Sequence, residues 1–402
     1  MQTTNSATTL IIGAGPAGMR CAETLARAGR RVVLIGDEAS PPYDRVALSR
    51  WLADEIAQAD LITHDPARLA ALGISFHGGS RVTAIDPARH QVATADGGVI
   101  GYDTLVLATG SRAIRLALPG AQLANVLLYR TLDDVRAMID ATGDGGRAIV
   151  IGGGLLGLEA AAGLAARGMA VTVLHAVDRL MERQLDQRAS RRLSGHLAAR
   201  GITIIENAAS SAILGEDRAC GVVLDDGRVL PAELVVMAVG IAPEASLARA
   251  AGLLVARGIV VDGQMRSSQN DIFAIGECAE FQGQCVGLVL PALAQAEIAA
   301  RAICGEAATW QPATDSAALK VAGAPVWSAG LVECADGEQI TLDDPDGAYR
   351  RLLLRQDRLV GAVLFGETAD AAWYMRLIRD CAPIGALRET LPFGPAYQEA
   401  AP

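Results

Sequence analysis

The chain begins with a short apolar run, followed by glycines and then by a helical segment. TTLIIG (8–13) predicts a strand, and MRCAETLARAG (19–29) predicts a helix that ends at its last glycine. RVVLIG (31–36) predicts the next strand, and Asp37 follows it. The order strand, glycine turn, helix, strand, acid is typical of a nucleotide-binding βαβ unit.

The glycine turn IIGAGPAG (11–18) has the spacing of a dinucleotide-binding loop. The first glycine permits the tight turn, the second lets the backbone approach a pyrophosphate, and the third lets helix and strand pack closely. The pyrophosphate is expected on the helix N-terminus, and the acid after the second strand is expected on ribose hydroxyls. The candidate residues of this first loop are Gly13, Gly15, Ala17, Gly18 and Asp37.

The same pattern occurs a second time. RAIVIG (147–152) predicts a strand, LLGLEAAAGLAARG (155–168) a helix and MAVTVL (169–174) the next strand. The candidate glycines of this second loop are Gly152, Gly154 and Gly157.

The second unit departs from the pattern after its last strand, where His175 stands in place of an acid. Asp178 is near enough in sequence to reach a ribose, whereas Arg179 or Arg183 is suited to a 2′-phosphate. The sequence therefore leaves the choice between NADH and NADPH open.

Two nucleotide folds in one chain most simply indicate two nucleotides, a tightly held flavin and a visiting nicotinamide. A third element supports the flavin: DIFAIG (271–276) predicts a strand that ends at Glu277, and GLVLPALAQAEIAARAICG (287–305) predicts a helix. The positive N-terminus of this helix would favour a reduced, anionic flavin. An ordinary strand–helix connection is the alternative interpretation.

Composition narrows the class of protein. The 402 residues are 51% hydrophobic and 20% charged, which indicates a globular chain of two or three domains. The net charge of −10 disfavours binding to nucleic acid or to an anionic membrane. No apolar run approaches the roughly 18 residues of a membrane span, and MQTTNSATTL (1–10) lacks a basic signal-peptide region. A cytoplasmic location is expected.

The seven cysteines are dispersed, and the sequence contains neither a CxxC pair nor a histidine at metal-ligand spacing. This argues against a disulfide framework, a zinc site or an iron–sulfur cluster, so no metal is expected. No CxxxxC follows the first loop, which argues against a dithiol reductase.

Longer motifs resemble a known family. YDTLVLATGS (102–111) and VMAVGIAP (236–243), together with the two loops, are similar to the two-dinucleotide-binding-domain flavoproteins. PPYDRVALSRWL (41–52) resembles their ferredoxin and rubredoxin reductase branch. A closer resemblance is to the FAD- and NAD(P)H-binding N-terminal part of the assimilatory nitrite reductase large subunit, carried by LMERQLD (180–186), RGIVVDGQMRSS (257–268), GECAEF (276–281) and LVGAVLFGETADAAWYMRLIR (359–379).

The resemblance covers nearly the whole chain and implies its architecture. The expected fold is α/β, with two Rossmann-like three-layer dinucleotide-binding domains and a small C-terminal α/β domain. The expected FAD-binding domain has two segments, residues 1–115 and 240–310. The NAD(P)H-binding domain is expected over 116–239 and the C-terminal domain over 311–402.

The resemblance also implies roles for single residues. It places Glu159 at the nicotinamide carboxamide, and it places Arg50 where the ferredoxin reductases have a lysine close to flavin N5. The family arginine that touches the flavin corresponds to Arg130, and the backbone contact to adenine corresponds to Val82. The alternative for Glu159 is a helix carboxylate stabilised by the helix dipole. The alternatives for the others are solvated loop charges for the two arginines and a core side chain for Val82. A pair between Arg50 and Glu159 is a further expectation.

These observations predict an FAD-dependent NAD(P)H oxidoreductase that passes electrons to a protein acceptor. The first hypothesis is the electron-transfer (diaphorase) subunit of an assimilatory nitrate or nitrite reductase system, whose metal centres would reside on a separate chain. The acceptor would be that system's catalytic subunit or a small iron–sulfur carrier. The alternatives are a free-standing ferredoxin or rubredoxin reductase and an NADH-sensing flavoprotein with a regulatory role.

Overall fold

The computed structural model describes residues 7–143, 145–312, 316–319, 323–345 and 347–397. The first part of the chain contains β1 (Thr8–Ile12), α1 (Pro16–Arg27), β2 (Arg31–Ile35), α2 (Leu48–Leu52), α3 (Pro66–Ala71), β3 (Ile74–His77), β4 (Val82–Asp86), β5 (Gln91–Thr94), β6 (Val99–Gly101), β7 (Thr104–Leu107) and β8 (Ser111–Ala113). The middle part contains β9 (Val126–Leu128), α4 (Leu132–Thr142), β10 (Arg147–Ile151), α5 (Leu155–Ala166), β11 (Ala170–Leu174), α6 (Gln187–Ala198), β12 (Thr203–Ile205), β13 (Ser210–Gly215), β14 (Ala219–Leu224), β15 (Val229–Pro231), β16 (Leu234–Met237) and β17 (Ile241–Pro243). The last part contains α7 (Ser246–Ala250), β18 (Ile259–Val260), β19 (Ile272–Ala274), β20 (Ala279–Phe281), β21 (Gln284–Cys285), α8 (Val289–Ile303), β22 (Ser316–Leu319), β23 (Val326–Gly330), β24 (Glu338–Asp343), β25 (Tyr349–Arg355), β26 (Arg358–Phe365) and α9 (Ala371–Arg379).

The chain folds into two compact units, each made of three segments. Unit 1 comprises Met1–Leu48, Ala57–Arg112 and Ile241–Pro312. Unit 2 comprises Ser49–Ile56, Ala113–Gly240 and Ala313–Pro402.

Unit 1 is built on a five-stranded parallel sheet in the order β19-β7-β1-β2-β3. Its strands are almost continuously apolar, as expected for strands covered on both faces. Helices α1 and α8 pack together and share one core with the sheet and with β4 and β5 of the antiparallel sheet β4-β5-β6. Helix, parallel sheet and antiparallel sheet therefore form three layers.

Unit 2 repeats this arrangement. Its parallel sheet has the order β12-β11-β10-β16-β9, with β10 at the centre followed by a glycine turn and α5. The antiparallel strands β13-β14-β15 share a core with this sheet.

The C-terminal part of unit 2 is an antiparallel sheet, β22-β23-β26-β25-β24, with α9 packed on β26 and β23. Trp327 and Tyr374 are buried in its core, between sheet and helix. Part of the LKVAGAPVWSAG segment, residues 320–322, lies outside the described residues, as does residue 346 in the DDPDG turn.

The predicted α/β fold class, with two Rossmann-like three-layer regions and a small C-terminal α/β region, is confirmed. Among the described residues, no helix combines the length and the apolar character needed to cross a bilayer.

Candidate nucleotide-binding sites

The first glycine loop is shaped by two positions that admit no side chain. Gly13 has a φ of +111°, and a Cβ there would lie 2.1 Å from the carbonyl oxygen of Ala108. A Cβ on Gly18 would lie 1.9 Å from the carbonyl oxygen of Gly13. The start of α1 is therefore held directly against the carboxyl end of β1, as a dinucleotide loop requires.

Gly15, between these two, has room for a side chain. It is the N-cap of α1, no side chain caps the helix, and the nearest atom to a Cβ there would be Arg45 Nε at 3.9 Å. The first N–H groups of a helix have no intrahelical partner and attract anions. Arg45 adds a positive charge at this helix end, and Glu38 and the ring of Tyr43 hold its guanidinium in place.

Sequence reasoning missed Arg45. It lies inside the quoted PPYDRVALSRWL motif, but only the fold shows that it returns to the glycine loop. The available signal was the position of Arg45 at the end of the loop that follows β2.

The predicted third element reaches the same helix end. Gly276 packs so closely on the start of α1 that a Cβ there would be 3.1 Å from Ala17 Cβ. Its N–H donates to Oε1 of the fully buried Gln295 on α8, whose Nε2 has no hydrogen-bond partner among the described residues. Glu277 follows on a 3₁₀ turn and accepts a hydrogen bond of 2.7 Å from Ser111 Oγ.

The structure places the remaining predicted residues of unit 1 as follows. Asp37 is exposed just after β2, whereas its neighbour Glu38 is half-buried and accepts a 2.7 Å hydrogen bond from the Tyr43 hydroxyl. Val82 begins β4, pairs with Thr94 and has a buried side chain.

The second glycine loop repeats the geometry of the first. Gly152 has a φ of +123°, and a Cβ there would lie 2.3 Å from the carbonyl oxygen of Ala238. A Cβ on Gly157 would lie 1.9 Å from the carbonyl oxygen of Gly152, and a Cβ on Gly154 would meet nothing within 4 Å. Unit 2 therefore offers the same open, uncapped helix N-terminus, at α5.

Glu159 lies on the second turn of α5 and is half-buried. Burial and the negative charge of Glu159 together hold the pKa of Tyr129 above its usual range, and Tyr129 is hydrogen-bonded to the Ser49 side chain. Arg130, next in sequence, is half-buried and donates its backbone N–H to Asp134 at 3.0 Å. Glu159 is therefore a charged group beside a neutral, buried phenol.

The short segment 49–56, which carries Arg50, is fixed to the far end of α5. Arg167 Nε donates to the carbonyl oxygen of Leu52 at 2.6 Å, and Nη2 donates to that of Trp51 at 3.0 Å. Nη2 also lies 3.0 Å from Asp54 Oδ1. One guanidinium thus binds two carbonyl groups and one carboxylate of this segment.

The contact between the segment and α5 is also tightly packed. Leu52 is fully buried, and a Cβ on Gly163 would lie 2.6 Å from its Cγ. Arg50 is more than half exposed, and its Nε lies 3.4 Å from Glu55 within the same segment. Helix α5 therefore carries Glu159 and also anchors the segment that carries Arg50.

Replacing Arg167 with alanine is expected to release segment 49–56, because the carbonyl groups of Trp51 and Leu52 lose their donors. Amides 50–56 should exchange at least about tenfold faster with deuterium, since hydrogen bonds to a charged donor contribute roughly 1.5–3 kcal/mol. Hydrogen-exchange mass spectrometry measures this. Arg228→Ala, which removes an exposed arginine paired with Asp226, is the matched control. Equal exchange in the two variants would contradict the anchoring role.

Both loops fit a dinucleotide. Each has an open glycine at an uncapped helix N-terminus, between two glycines whose Cβ positions are occupied by backbone. Unit 1 adds the cation Arg45 and the buried Gln295, whose Nε2 lacks a partner in the described part of the chain, and both suit the larger and permanently held FAD. Unit 2 adds the carboxylate Glu159 beside its loop, which suits a nicotinamide nucleotide.

Comparison with known proteins places the chain among redox enzymes. It is 38% identical over 90% of its length to the assimilatory nitrate reductase electron transfer subunit of Bacillus subtilis (strain 168), and it spans about half of that relative, 48%. It is 34% identical over 87% of its length to the biphenyl dioxygenase system ferredoxin–NAD(+) reductase component of Paraburkholderia xenovorans (strain LB400), covering 86% of that protein. The structure matches putidaredoxin reductase in its covalent complex with putidaredoxin, with a TM-score of 0.86, 30% identity and 94% of each chain covered.

Two family models match the chain. Residues 316–382 match the rubredoxin NAD+ reductase C-terminal domain. Residues 7–302 match the pyridine nucleotide-disulphide oxidoreductase model. The predicted resemblance is confirmed: the chain belongs to the pyridine nucleotide-disulphide oxidoreductase family, in the group of two-dinucleotide-binding flavoproteins.

Proposed function

We propose that this chain is an FAD-dependent NAD(P)H oxidoreductase that passes electrons to a protein acceptor. The observation that carries the proposal is the pair of glycine loops, each with an uncapped helix N-terminus and with the same glycines closed to side chains. Family membership supports both nucleotides. When bound, FAD accepts a hydride from the nicotinamide and supplies electrons to the acceptor.

The acceptor in this proposal is the catalytic subunit of an assimilatory nitrate or nitrite reductase system. The relative named an electron transfer subunit of such a system, with 38% identity over 90% of the chain, supports this choice. A cytoplasmic location, where NAD(P)H is available as reductant, is part of the same proposal.

We assign the two nucleotides to separate regions. Residues 1–115 and 240–310 would hold FAD, 116–239 would hold NAD(P)H, and 311–402 would form a C-terminal domain. Within the FAD region, Gly13, Gly15, Ala17 and Gly18 would contact the pyrophosphate, with Arg45 neutralising its charge. Asp37 would bind the ribose, and Val82 would contact the adenine. Glu277, in the third element, completes the FAD-binding set.

The residues of unit 2 would bind and orient the nicotinamide. Gly152, Gly154 and Gly157 would receive the pyrophosphate of NAD(P)H on the N-terminus of α5. Glu159 would accept hydrogen bonds from the nicotinamide carboxamide and fix the ring. The roles of Arg50 and Arg130 at the flavin rest on the family resemblance and stay predictions.

Replacing Glu159 with glutamine is expected to slow reduction of bound FAD by NADH about tenfold or more, since a charged acceptor becomes a neutral amide with half the acceptor capacity. The FAD content should not change. Anaerobic stopped-flow absorbance measures the rate. Glu216→Gln, on the exposed β13–β14 turn, is the control and should react like wild type. Wild-type rates in Glu159→Gln would remove this residue from the proposed site.

The function itself is tested with the acceptors. The chain is reduced anaerobically with NADH and mixed with a nitrate reductase catalytic protein, a two-iron ferredoxin or a rubredoxin. Rapid re-oxidation by the nitrate reductase protein supports the proposal. Re-oxidation by ferredoxin or rubredoxin alone supports the second candidate, a free-standing reductase, which the ferredoxin reductase relative and the rubredoxin reductase C-terminal model favour. A reduced state that no protein re-oxidises would contradict electron transfer and point to a regulatory flavoprotein.

A further inference from the structure

The strand end beside the second glycine loop carries a buried histidine instead of the usual acid. β11 ends at Leu174, and the next residue, His175, is 8% exposed. The N–H of Gly153 donates to His175 Nδ1 at 3.1 Å. A ring nitrogen that accepts a hydrogen bond carries no proton, so the neutral ring has its proton on Nε2. His175 therefore cannot provide the carboxylate that binds the ribose hydroxyls in such folds.

A different acid lies near this histidine. The N–H of Met181 donates to the carbonyl oxygen of Gly153 at 3.0 Å, which ties the segment after β11 back to the glycine loop. Leu180 is fully buried, and a Cβ on Gly153 would lie 2.6 Å from its Cδ2. Glu182, which follows Met181, has Oε2 3.4 Å from His175 Nε2 and a side chain that is 40% exposed. A partly exposed carboxylate thus lies next to the strand end.

Of the two arginines suited to a 2′-phosphate, Arg179 is already engaged, whereas Arg183 is exposed. Arg179 has Nη2 3.0 Å from Glu333 and Nη1 3.6 Å from Asp178, and its side chain is 22% exposed. Two carboxylates therefore neutralise this arginine. A 2′-phosphate, with about 1.5 to 2 negative charges near pH 7, would meet the like charge of Glu182, which Arg179 does not offset because it is paired with Asp178 and Glu333.

We propose that Glu182 is the carboxylate that recognises the adenosine ribose in unit 2, and that it makes the site select NADH over NADPH. The inference rests on the proposed function, since it requires a nicotinamide nucleotide at the second loop. A 2′-hydroxyl donates a hydrogen bond to Glu182, whereas a 2′-phosphate offers acceptors and negative charge to the same group. One residue thus supplies both the attraction and the repulsion on which discrimination depends.

The test measures binding without reduction of a flavin. ADP-ribose and 2′-phospho-ADP-ribose are titrated into the purified 402-residue chain by isothermal calorimetry. ADP-ribose should bind about tenfold or more tightly than its phosphorylated analogue, since a hydrogen bond to a charged group is at stake. Glu182→Gln should weaken ADP-ribose binding about tenfold and bring the two ligands close to equal affinity. Glu182→Asp, which keeps the charge, should retain the preference for ADP-ribose, and Glu216→Gln should behave like wild type.

The possible outcomes distinguish failure of this inference from failure of the proposed function on which it rests. Equal binding of both ligands to wild type, or an unchanged preference in Glu182→Gln, overturns the role of Glu182 and leaves the nucleotide site in place. Failure of the wild-type chain to bind either ligand overturns both. Matched melting temperatures of the variants exclude misfolding, which is not expected for a partly exposed side chain.

Discussion

Gly18→Ala is expected to give a chain that purifies without FAD. The added Cβ would lie 1.9 Å from the carbonyl oxygen of Gly13 and 3.2 Å from Ala108 Cβ. Gly13 cannot move aside, because its N–H donates to the carbonyl oxygen of Ile35 at 2.8 Å and the Ala108 carbonyl group blocks its Cβ position. Helix α1 must therefore move away from β1, which opens the loop that would hold the pyrophosphate.

The effect should be large and specific. Overpacking against rigid backbone costs roughly 1–3 kcal/mol or more, and relieving the clash by moving α1 distorts the loop that would hold the pyrophosphate. We expect bound flavin per chain, measured by visible absorbance, to fall at least about tenfold. Gly195→Ala is the matched control, since Gly195 is also helical but a Cβ there meets nothing within 4 Å. Full flavin content in Gly18→Ala would contradict the assignment of FAD to unit 1.

Gly157→Ala is expected to have the complementary result, a flavoprotein that NADH no longer reduces. Its Cβ would lie 1.9 Å from the carbonyl oxygen of Gly152, whose φ of +123° and closeness to Ala238 leave no room to adjust. The start of α5 must shift, and the pyrophosphate of the nicotinamide nucleotide loses its helix N-terminus. The loop of unit 1 is untouched.

Anaerobic mixing with NADH distinguishes the two loops. In Gly157→Ala we expect the flavin to be present, to be reduced by dithionite, and to react with NADH at least about 100-fold more slowly than wild type, as when a main binding contact is lost. Gly195→Ala, in the same unit, should react normally. Normal reduction of the Gly157→Ala flavin by NADH would show that the second loop does not serve the nicotinamide.

The sequence predicted those features that depend on local pattern. Both glycine loops, the buried strands before them and the helices after them follow from residues within about 30 positions of each other, the length of one βαβ unit. The α/β class follows from their alternation and is confirmed. Resemblance added the family, also confirmed, and the candidate roles of Arg50, Arg130 and Glu159, which stay predictions.

Other features depend on contacts between residues far apart in sequence, which no local pattern predicts. Arg167 binds Trp51 and Leu52 although more than a hundred residues separate them, so the anchoring of segment 49–56 was not predictable from spacing. Arg45 reaches the first loop only because the chain after β2 folds back over Gly15. Glu182 approaches the second loop because Met181 bonds to Gly153, a contact made by an irregular segment.

The central claim, that two loops hold two nucleotides in one electron path, is tested most directly by an anaerobic titration of the purified chain. Visible spectra are recorded as NADH is added. The account predicts a bound FAD spectrum that bleaches in proportion to the added NADH, and much less readily with NADPH at equal concentration. A chain that binds no flavin, or whose flavin neither nucleotide reduces, would contradict it.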